Sequence, residues 1–376
     1  MLTSRGLLLR SISAILIPAP IPTSAFICTR TRGVSRLSRP RINTGRRRPG
    51  TSISENINST TTRAISGTGN TPTMVSTPSF GDAVVQAMRN LYPEELADKS
   101  WDNTGLLIDQ APSFPKGPGS SQPTVLLTND LTGTVVDEAL EKGVHVIVCY
   151  HPVIFRPFKS LTTKDPMQAQ ILRLIAAGIA VYCPHTAVDA AVGGLNDWLC
   201  DILIDGDQEV KRTVAEPISR ALSEDLRGQD VGYGRVFELA QSITLQTLLK
   251  RLSTGIGGQK YLMVALPPTV NDLTKTQVIT KIAVCAGSGA DVLKNTDAQV
   301  LVTGEMAHHY ALRHTQLGQI VVTCFHSNSE RKFLEQRLKP QLEAQLIDAG
   351  HGDALVLVSS ADRDPFSIID VRDLAW

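Results

Sequence analysis

Short apolar runs along this chain alternate with segments in which apolar residues recur at helical spacing. The runs at 124–128, 144–149 and 179–183 have the length of buried strands, and the segments 134–142 and 167–177 between them have the period of amphipathic helices. Strands that alternate with helices in this way are typical of a mainly parallel sheet covered by helices. The pattern therefore predicts an α/β fold.

The order of elements in residues 124–203 recurs in residues 281–345, which indicates an internal duplication. Each stretch contains three strand-like runs with helical segments between them. His308 lies 157 positions after His151, at the equivalent place of the second copy. We therefore predict two duplicated strand–helix units with mixed, mainly parallel sheets.

The chain divides into four predicted parts. Residues 1–73 are an Arg-rich leader, and residues 80–204 are the first α/β repeat. Residues 205–275 are an inserted linking segment with a hairpin and a helix, and residues 276–376 are the second repeat. The apolar run at 354–359 is predicted to add a closing strand to one of the sheets.

The leader has a composition unlike that of the rest of the chain. It holds eleven Arg and no Lys or Asp, and Glu55 is its only acid. An Arg-rich and Ser-rich segment that is poor in acids is typical of a mitochondrial presequence. A secretory signal fits less well because a dense run of Arg follows the apolar stretch, whereas translation from Met74 would leave a cytoplasmic protein. The apolar stretch 12–27 is interrupted by prolines and is too short to span a bilayer.

The chain after the leader is acidic. It contains 26 Lys and Arg residues against 35 Asp and Glu residues, a net charge of −9. This charge argues against direct binding of nucleic acid, which needs a basic surface. None of the six cysteines stands in a CxxC pair. They are therefore predicted to be buried core residues in a reducing compartment, and neither disulfides nor ligands of a structural zinc ion.

Six His, Asp and Glu residues lie near the ends of predicted strands or at the starts of the helices that follow. In open α/β sheets, ligands bind just beyond the carboxyl ends of the strands. Imidazole and carboxylate donors together suit zinc, iron, manganese, cobalt or nickel, and a carboxylate can bridge two such ions. The sequence therefore predicts a divalent-metal site between the two repeats, with one or two ions per subunit. The six candidates are His151, His185, Asp189, His308, His326 and Glu330.

Two of these carboxylates also have an explanation that involves no metal. The segment from Ser327 to Glu330 has the spacing of a helix capping box, in which Glu330 serves only to start the next helix. Asp189 precedes a predicted helix, where an acid complements the helix dipole. The same spacing of a histidine and an acid in both copies, His185 with Asp189 and His326 with Glu330, favours the metal site.

Five short blocks of sequence resemble those of a known family. They are WDNTGL at 101–106, YHPVIF at 150–155, HTAVD at 185–189, TGE with the following HH at 303–309, and HSNSE at 326–330. Together they resemble the NGG-one-interacting-factor-three-like family, whose members are often described as GTP cyclohydrolase 1 type 2 homologues. The resemblance covers residues from about 80 to 360 in order.

The resemblance implies a duplicated α/β fold, a ring-shaped homo-oligomer that is commonly a hexamer, and a dinuclear metal site. By this match His151 and Asp189 bind one metal, His326 binds the second, and Glu330 bridges them. Many bacterial members of the family have a histidine where this chain has Tyr150. A phenol has a pKa of about 10 and is a poor ligand near neutral pH, so a second ion needs His185, His308 or water to complete it.

The function predicted from these features is metal-dependent hydrolysis, cyclohydrolase-like, of a small nucleotide-like or pterin-like substrate. His185 and His308 are the predicted proton shuttles, because imidazole exchanges protons near neutral pH. The alternative is a non-catalytic metal-binding scaffold that interacts with a transcriptional adaptor, which the family name suggests. Expected partners are a small molecule, further copies of the chain and another protein, but no nucleic acid and no membrane.

Overall fold

A computed structural model describes residues 79–109, 122–270 and 278–374 of the chain, and the predicted leader 1–73 lies outside them. Strands and helices alternate over most of the described length. In chain order the strands are β1 (Gly105–Ile108), β2 (Thr124–Thr128), β3 (Val146–Cys149), β4 (Ala180–Cys183), β5 (Glu209–Pro217), β6 (Gly232–Ile243), β7 (Met263–Ala265), β8 (Ile279–Ser288), β9 (Val300–Glu305), β10 (Ile320–Thr323) and β11 (Leu355–Val358).

The α-helices follow the helical spacing of the sequence. A π-helical turn, Leu334–Leu338, joins the last two of them. They are α1 (Phe80–Leu91), α2 (Gly133–Glu141), α3 (Pro166–Ala177), α4 (Thr186–Ala190), α5 (Leu195–Ile204), α6 (Leu245–Gly255), α7 (Ala290–Leu293), α8 (His308–Gln316), α9 (Arg331–Phe333) and α10 (Lys339–Asp348).

Local sequence explains where several helices begin and end. Ser79 precedes α1 and forms a capping box with Asp82. Asp165 accepts a hydrogen bond from the first turn of α3, and Pro166 occupies the first position of that helix. Gly178 ends α3 in the left-handed conformation that glycine adopts without strain. These boundaries are properties of the local sequence.

The first sheet has five strands in the order β1-β4-β3-β2-β11. The strands β2, β3 and β4 run parallel, β11 pairs in parallel with β2, and β1 pairs antiparallel with β4. The predicted closing strand at 354–359 is therefore the edge strand β11. It joins the sheet of the first repeat, although it lies within the range predicted for the second.

The second sheet has six strands in the order β5-β6-β8-β9-β10-β7. The strands β8, β9 and β10 run parallel, and β7 pairs antiparallel with β10. Both sheets therefore contain three parallel strands and a further strand that pairs antiparallel with the third of them. The hairpin predicted within 205–275 is β5 with β6, which extends this sheet beside β8. The predicted α/β fold with two mixed sheets is confirmed.

Alternate residues of the first sheet pack into different cores. Leu126 and Ile147 belong to a cluster with residues of α2 and α3. Val125 belongs to the largest cluster, which also contains Ile282 and Val300 of the second sheet. Successive strand residues point to opposite faces, so one face of the first sheet shares its core with the second sheet. This shared core holds the two sheets together.

The described cysteines are buried and free, as predicted, and Cys28 lies outside the described residues. Within the described ranges no helix has the length and apolar character that crossing a membrane requires.

Candidate metal centre

Side chains that follow three parallel strands lie close together. Asn129 and Asp130 follow β2, His151 follows β3 by two positions, and His326 follows β10 by three. The carboxyl ends of parallel strands are the edge at which α/β sheets bind ligands. Because β2 and β3 belong to the first sheet and β10 to the second, this site draws residues from both repeats.

His151, His326 and Glu330 form a group of three possible metal donors. One ligand atom from each lies within 4.8 Å of the other two. The Nε2 atoms of the two imidazoles are 3.3 Å apart. His326 Nε2 lies 3.3 Å from Oε1 of Glu330, and His151 Nε2 lies 3.6 Å from Oε2. Three of the four predicted metal ligands therefore come together.

Each imidazole of this group is held by a second carboxylate. His151 Nδ1 lies 2.9 Å from Oδ1 of Asp130, and His326 Nδ1 lies 3.1 Å from Oε1 of Glu305. A carboxylate beside Nδ1 favours the proton on that nitrogen and leaves the Nε2 lone pair free for a metal. Carboxylate–histidine pairs of this kind orient the imidazole ligands of metal sites.

Glu330 is a buried carboxylate, with 2% of its surface exposed. Asn129 Nδ2 donates a hydrogen bond of 2.9 Å to its Oε2 atom. Burial raises the pKa of Glu330 to about 8, although the neighbouring His326 opposes this shift. Within the described residues its ion-pair partners are the two imidazoles, so the group fits a divalent cation that neutralises the carboxylate.

The capping-box explanation of Glu330 does not describe this geometry. The helix that begins at Arg331 has no side-chain capping hydrogen bond from Glu330. The Ser327 hydroxyl instead donates to Asp364, at 3.1 Å, and accepts from Arg331, at 2.7 Å. The carboxylate of Glu330 instead faces Asn129 and the two histidines.

Two glycines leave room for the three donors. A Cβ atom at Gly287 would lie 2.7 Å from Oε1 of Glu330 and 3.2 Å from Nε2 of His326. A Cβ atom at Gly304 would lie 2.9 Å from Cα of His326. Real Cβ atoms essentially never approach within 3.0 Å. Close approach of backbone to the donors therefore requires glycine at both positions.

Asp189, the fourth predicted ligand, bonds to a tyrosine. Tyr150 donates a hydrogen bond of 2.7 Å from its hydroxyl to Oδ1 of Asp189. Burial raises the pKa of Tyr150 well above its ordinary value, and the carboxylates of Asp189 and Glu330 add to this effect. Burial likewise raises the pKa of Asp189. Asp189 does not belong to the three-donor group.

His185, one of the predicted proton shuttles, lies beside this pair. Its Nδ1 atom is 2.6 Å from Oδ1 of Asp102, and the other oxygen of Asp102 accepts hydrogen bonds from Thr186. The backbone of His185 has φ +32°, outside the usual range of a non-glycine residue. Such strain persists only when surrounding contacts hold it, and here the Asp102 carboxylate binds both His185 and the start of α4.

His308, the other predicted shuttle, lies elsewhere. It is exposed at the start of α8, and its ring contacts the ring of His309 at 5.3 Å. It is not among the residues that line the cavity described next.

A cavity of about 400 Å³ lies against the donor group. Glu330, His326, Asp189 and His185 line it. Trp101 also lines it, is 50% exposed, and contacts the His185 ring edge-on. The cavity thus joins the possible metal donors to the predicted proton shuttle and to an accessible aromatic face.

The sequence prediction missed the residues that orient these side chains. Asn129 and Asp130 directly follow β2, so the rule that selected His151 at the end of β3 would have selected them too. Glu305 lies at the end of β9. Asp102 lies in the predicted turn before β1, where an acid more often serves the turn itself. Only its contact with His185 reveals its role.

Comparisons of sequence find relatives over most of the chain. The model of the family Duf34/NIF3 (NGG1p interacting factor 3) matches residues 81–365. The chain is 42% identical over 294 residues to "Protein NIF3 homolog" of Schizosaccharomyces pombe, which covers 78% of this chain and 99% of that protein. It is 40% identical over 294 residues to "NGG1-interacting factor 3" of Saccharomyces cerevisiae, over 76% of this chain and 96% of that protein.

Comparison of structures supports the fold. A Bacillus cereus protein related to NIF3 has a TM-score of 0.63 at 22% identity, over 77% of this chain and 99% of its own. Reduced HcgD from Methanocaldococcus jannaschii has a TM-score of 0.54 at 20% identity, over 73% of this chain and 95% of its own.

Proposed function

The chain belongs to the Duf34/NIF3 family, and from that premise we propose that it is a metal-dependent hydrolase of a small nucleotide-like or pterin-like molecule. His151, His326 and Glu330 hold the divalent ion, which is zinc, iron, manganese, cobalt or nickel. The cavity beside them receives the substrate.

The distance between the two imidazole Nε2 atoms carries this proposal. Both nitrogens have a carboxylate on Nδ1, so both present lone pairs, and they approach to 3.3 Å beside a buried carboxylate. At this separation the two lone pairs repel each other, and burial disfavours the charged form of the Glu330 carboxylate beside them. A bound cation removes the repulsion and makes the arrangement favourable.

The remaining residues of the cavity supply binding and proton transfer. A divalent ion bound here contributes Lewis acidity and lowers the pKa of water. Trp101 offers its exposed face to a planar ring. His185, whose Nδ1 is held by Asp102, has Nε2 left to take up and release a proton. This division of roles suits hydrolysis of a ring-bearing substrate.

The test is turnover by metal-loaded protein across a panel of nucleosides, nucleotides and pterins. We expect His185→Asn to lower turnover at least a hundredfold with its metal content unchanged, which is the usual range for a general acid or base. The matched variant His308→Asn should retain turnover, because His308 is exposed and does not line the cavity. Equal losses in both variants would contradict the role of His185.

A second candidate is a non-catalytic metal-binding protein that acts through a protein partner. The Saccharomyces cerevisiae relative is named as an interacting factor, and this chain exposes apolar side chains near its C-terminus. Phe366 is 78% exposed, and Ile369 and Val371 are each 62% exposed; such patches are typical of interaction surfaces. Another protein or further copies of the chain, up to a hexamer, are the candidates to cover them. Absence of turnover with every metal, together with co-purification of a partner that Phe366→Ser abolishes, would favour this candidate.

A further inference from the structure

We propose that this metal centre holds one ion per chain, and that Tyr150 keeps Asp189 out of the ligand set. The inference rests on the proposed metal site and deepens it, since it names the number of ions and the residue that determines it.

The spacing of the three donors matches one ion. Zinc lies about 2.0–2.1 Å from imidazole nitrogen and 2.0–2.2 Å from carboxylate oxygen, so donors around one tetrahedral ion are about 3.3–3.5 Å apart. The two Nε2 atoms are 3.3 Å apart, and each lies near a different oxygen of Glu330, His326 at 3.3 Å from Oε1 and His151 at 3.6 Å from Oε2. The two imidazole nitrogens therefore have the spacing of neighbouring ligands of one ion, and the Glu330 carboxylate lies beside both of them.

Asp189 makes a different contact. Its Oδ1 atom accepts the hydroxyl proton of Tyr150 at 2.7 Å, and Asn196 Nδ2 donates to its backbone carbonyl at 3.0 Å. Tyr150 is itself buried, with 3% of its surface exposed. A second ion at Asp189 would have to displace this buried hydrogen bond, and Tyr150 offers it no imidazole in return. The pair instead faces the cavity beside the centre.

A second ion needs more donors than this side of the cavity supplies. His185 is the remaining imidazole that lines the cavity, and Asp102 holds its Nδ1 atom at 2.6 Å, which leaves Nε2 as one donor for a second ion. Glu330 already faces both histidines of the first set through its two oxygens. Asp189 and His185 would be left as the protein donors of the second ion, fewer than the three or four protein ligands of a zinc site.

The number of ions is measured by elemental analysis of protein loaded with zinc and desalted, with folding checked by circular dichroism. We expect one equivalent per chain in the wild type and in Asp189→Asn. Glu330→Gln should lower the content at least tenfold. Tyr150→His places an imidazole beside Asp189 and should raise the content towards two equivalents.

Two equivalents in the wild type would overturn the inference and leave the proposed function standing. Loss of metal in Asp189→Asn as large as in Glu330→Gln would overturn it as well, and so would a content of one in folded Tyr150→His. A wild type that binds no metal would overturn the proposed function together with the inference. Electron paramagnetic resonance of manganese-loaded wild type gives an independent readout. An isolated Mn²⁺ signal is expected, and a spin-coupled pair would refute single occupancy.

Discussion

Gly287→Ala is the smallest change that should empty the metal centre without touching a donor. The added methyl group would lie 2.7 Å from Oε1 of Glu330 and 3.2 Å from Nε2 of His326. Those two atoms are themselves 3.3 Å apart. The methyl group would therefore push both donors away from the positions in which they share an ion.

The change also has a backbone cost, which can be separated from its effect on the site. Gly287 has φ +60°, and an alanine in the left-handed region costs roughly 1–2 kcal/mol. The entropy of unfolding of a unit of this size is about 0.6 kcal/mol/K, so the expected fall in Tm is about 2–3 °C. Gly318→Ala is the matched control, because Gly318 has φ +82° and a Cβ atom there would meet nothing within 4 Å.

Metal titration by calorimetry and thermal unfolding of the metal-free proteins separate the two effects. Both variants should lose about the same stability, whereas only Gly287→Ala should weaken metal binding, by at least a hundredfold. This loss corresponds to about 2.7 kcal/mol and is the expected result of displacing two of three donors. Wild-type affinity in folded Gly287→Ala would refute the assignment of Glu330 and His326 as ligands of one ion.

Three further predictions concern the charge of the site, its neighbouring hydrogen bonds and the leader. Burial raises the pKa of Glu330 from 4.5 to about 8. The contribution of Glu330 to the stability of the metal-free protein is therefore full below pH 4.5 and is lost as the pH rises through about 8. Urea unfolding should show this loss in the wild type and not in Glu330→Gln. Ser327→Ala removes hydrogen bonds to Arg331 and Asp364 and should lower the free energy of unfolding, measured in urea, by about 1 kcal/mol. Elemental analysis should find the metal content unchanged, and a loss of metal would mean that Ser327 supports the site. Residues 1–73 fused to a fluorescent reporter should direct it to mitochondria, and a diffuse cytosolic signal would contradict the proposed location.

Local pattern determined much of the fold. The apolar run at 124–128 is β2, and the segment 167–177 lies within α3. Both elements follow from periodicity and from residues such as Asp165 that start a helix. These signals depend on neighbours a few positions away. The same reasoning placed His151 and His326 beyond strand ends. A segment has these local properties wherever it packs in the tertiary structure.

Tertiary structure decided which of these residues meet. Asn129 and Glu330 are 201 positions apart, yet they share a hydrogen bond. Asp189 and Glu330 occupy equivalent positions in the two repeats, but one faces a tyrosine hydroxyl and the other faces two imidazoles. The strand β11 likewise crosses to the first sheet. Such pairings depend on the order of strands and on the shared core. No local period encodes these features, because burial stabilises any arrangement that removes apolar surface from water.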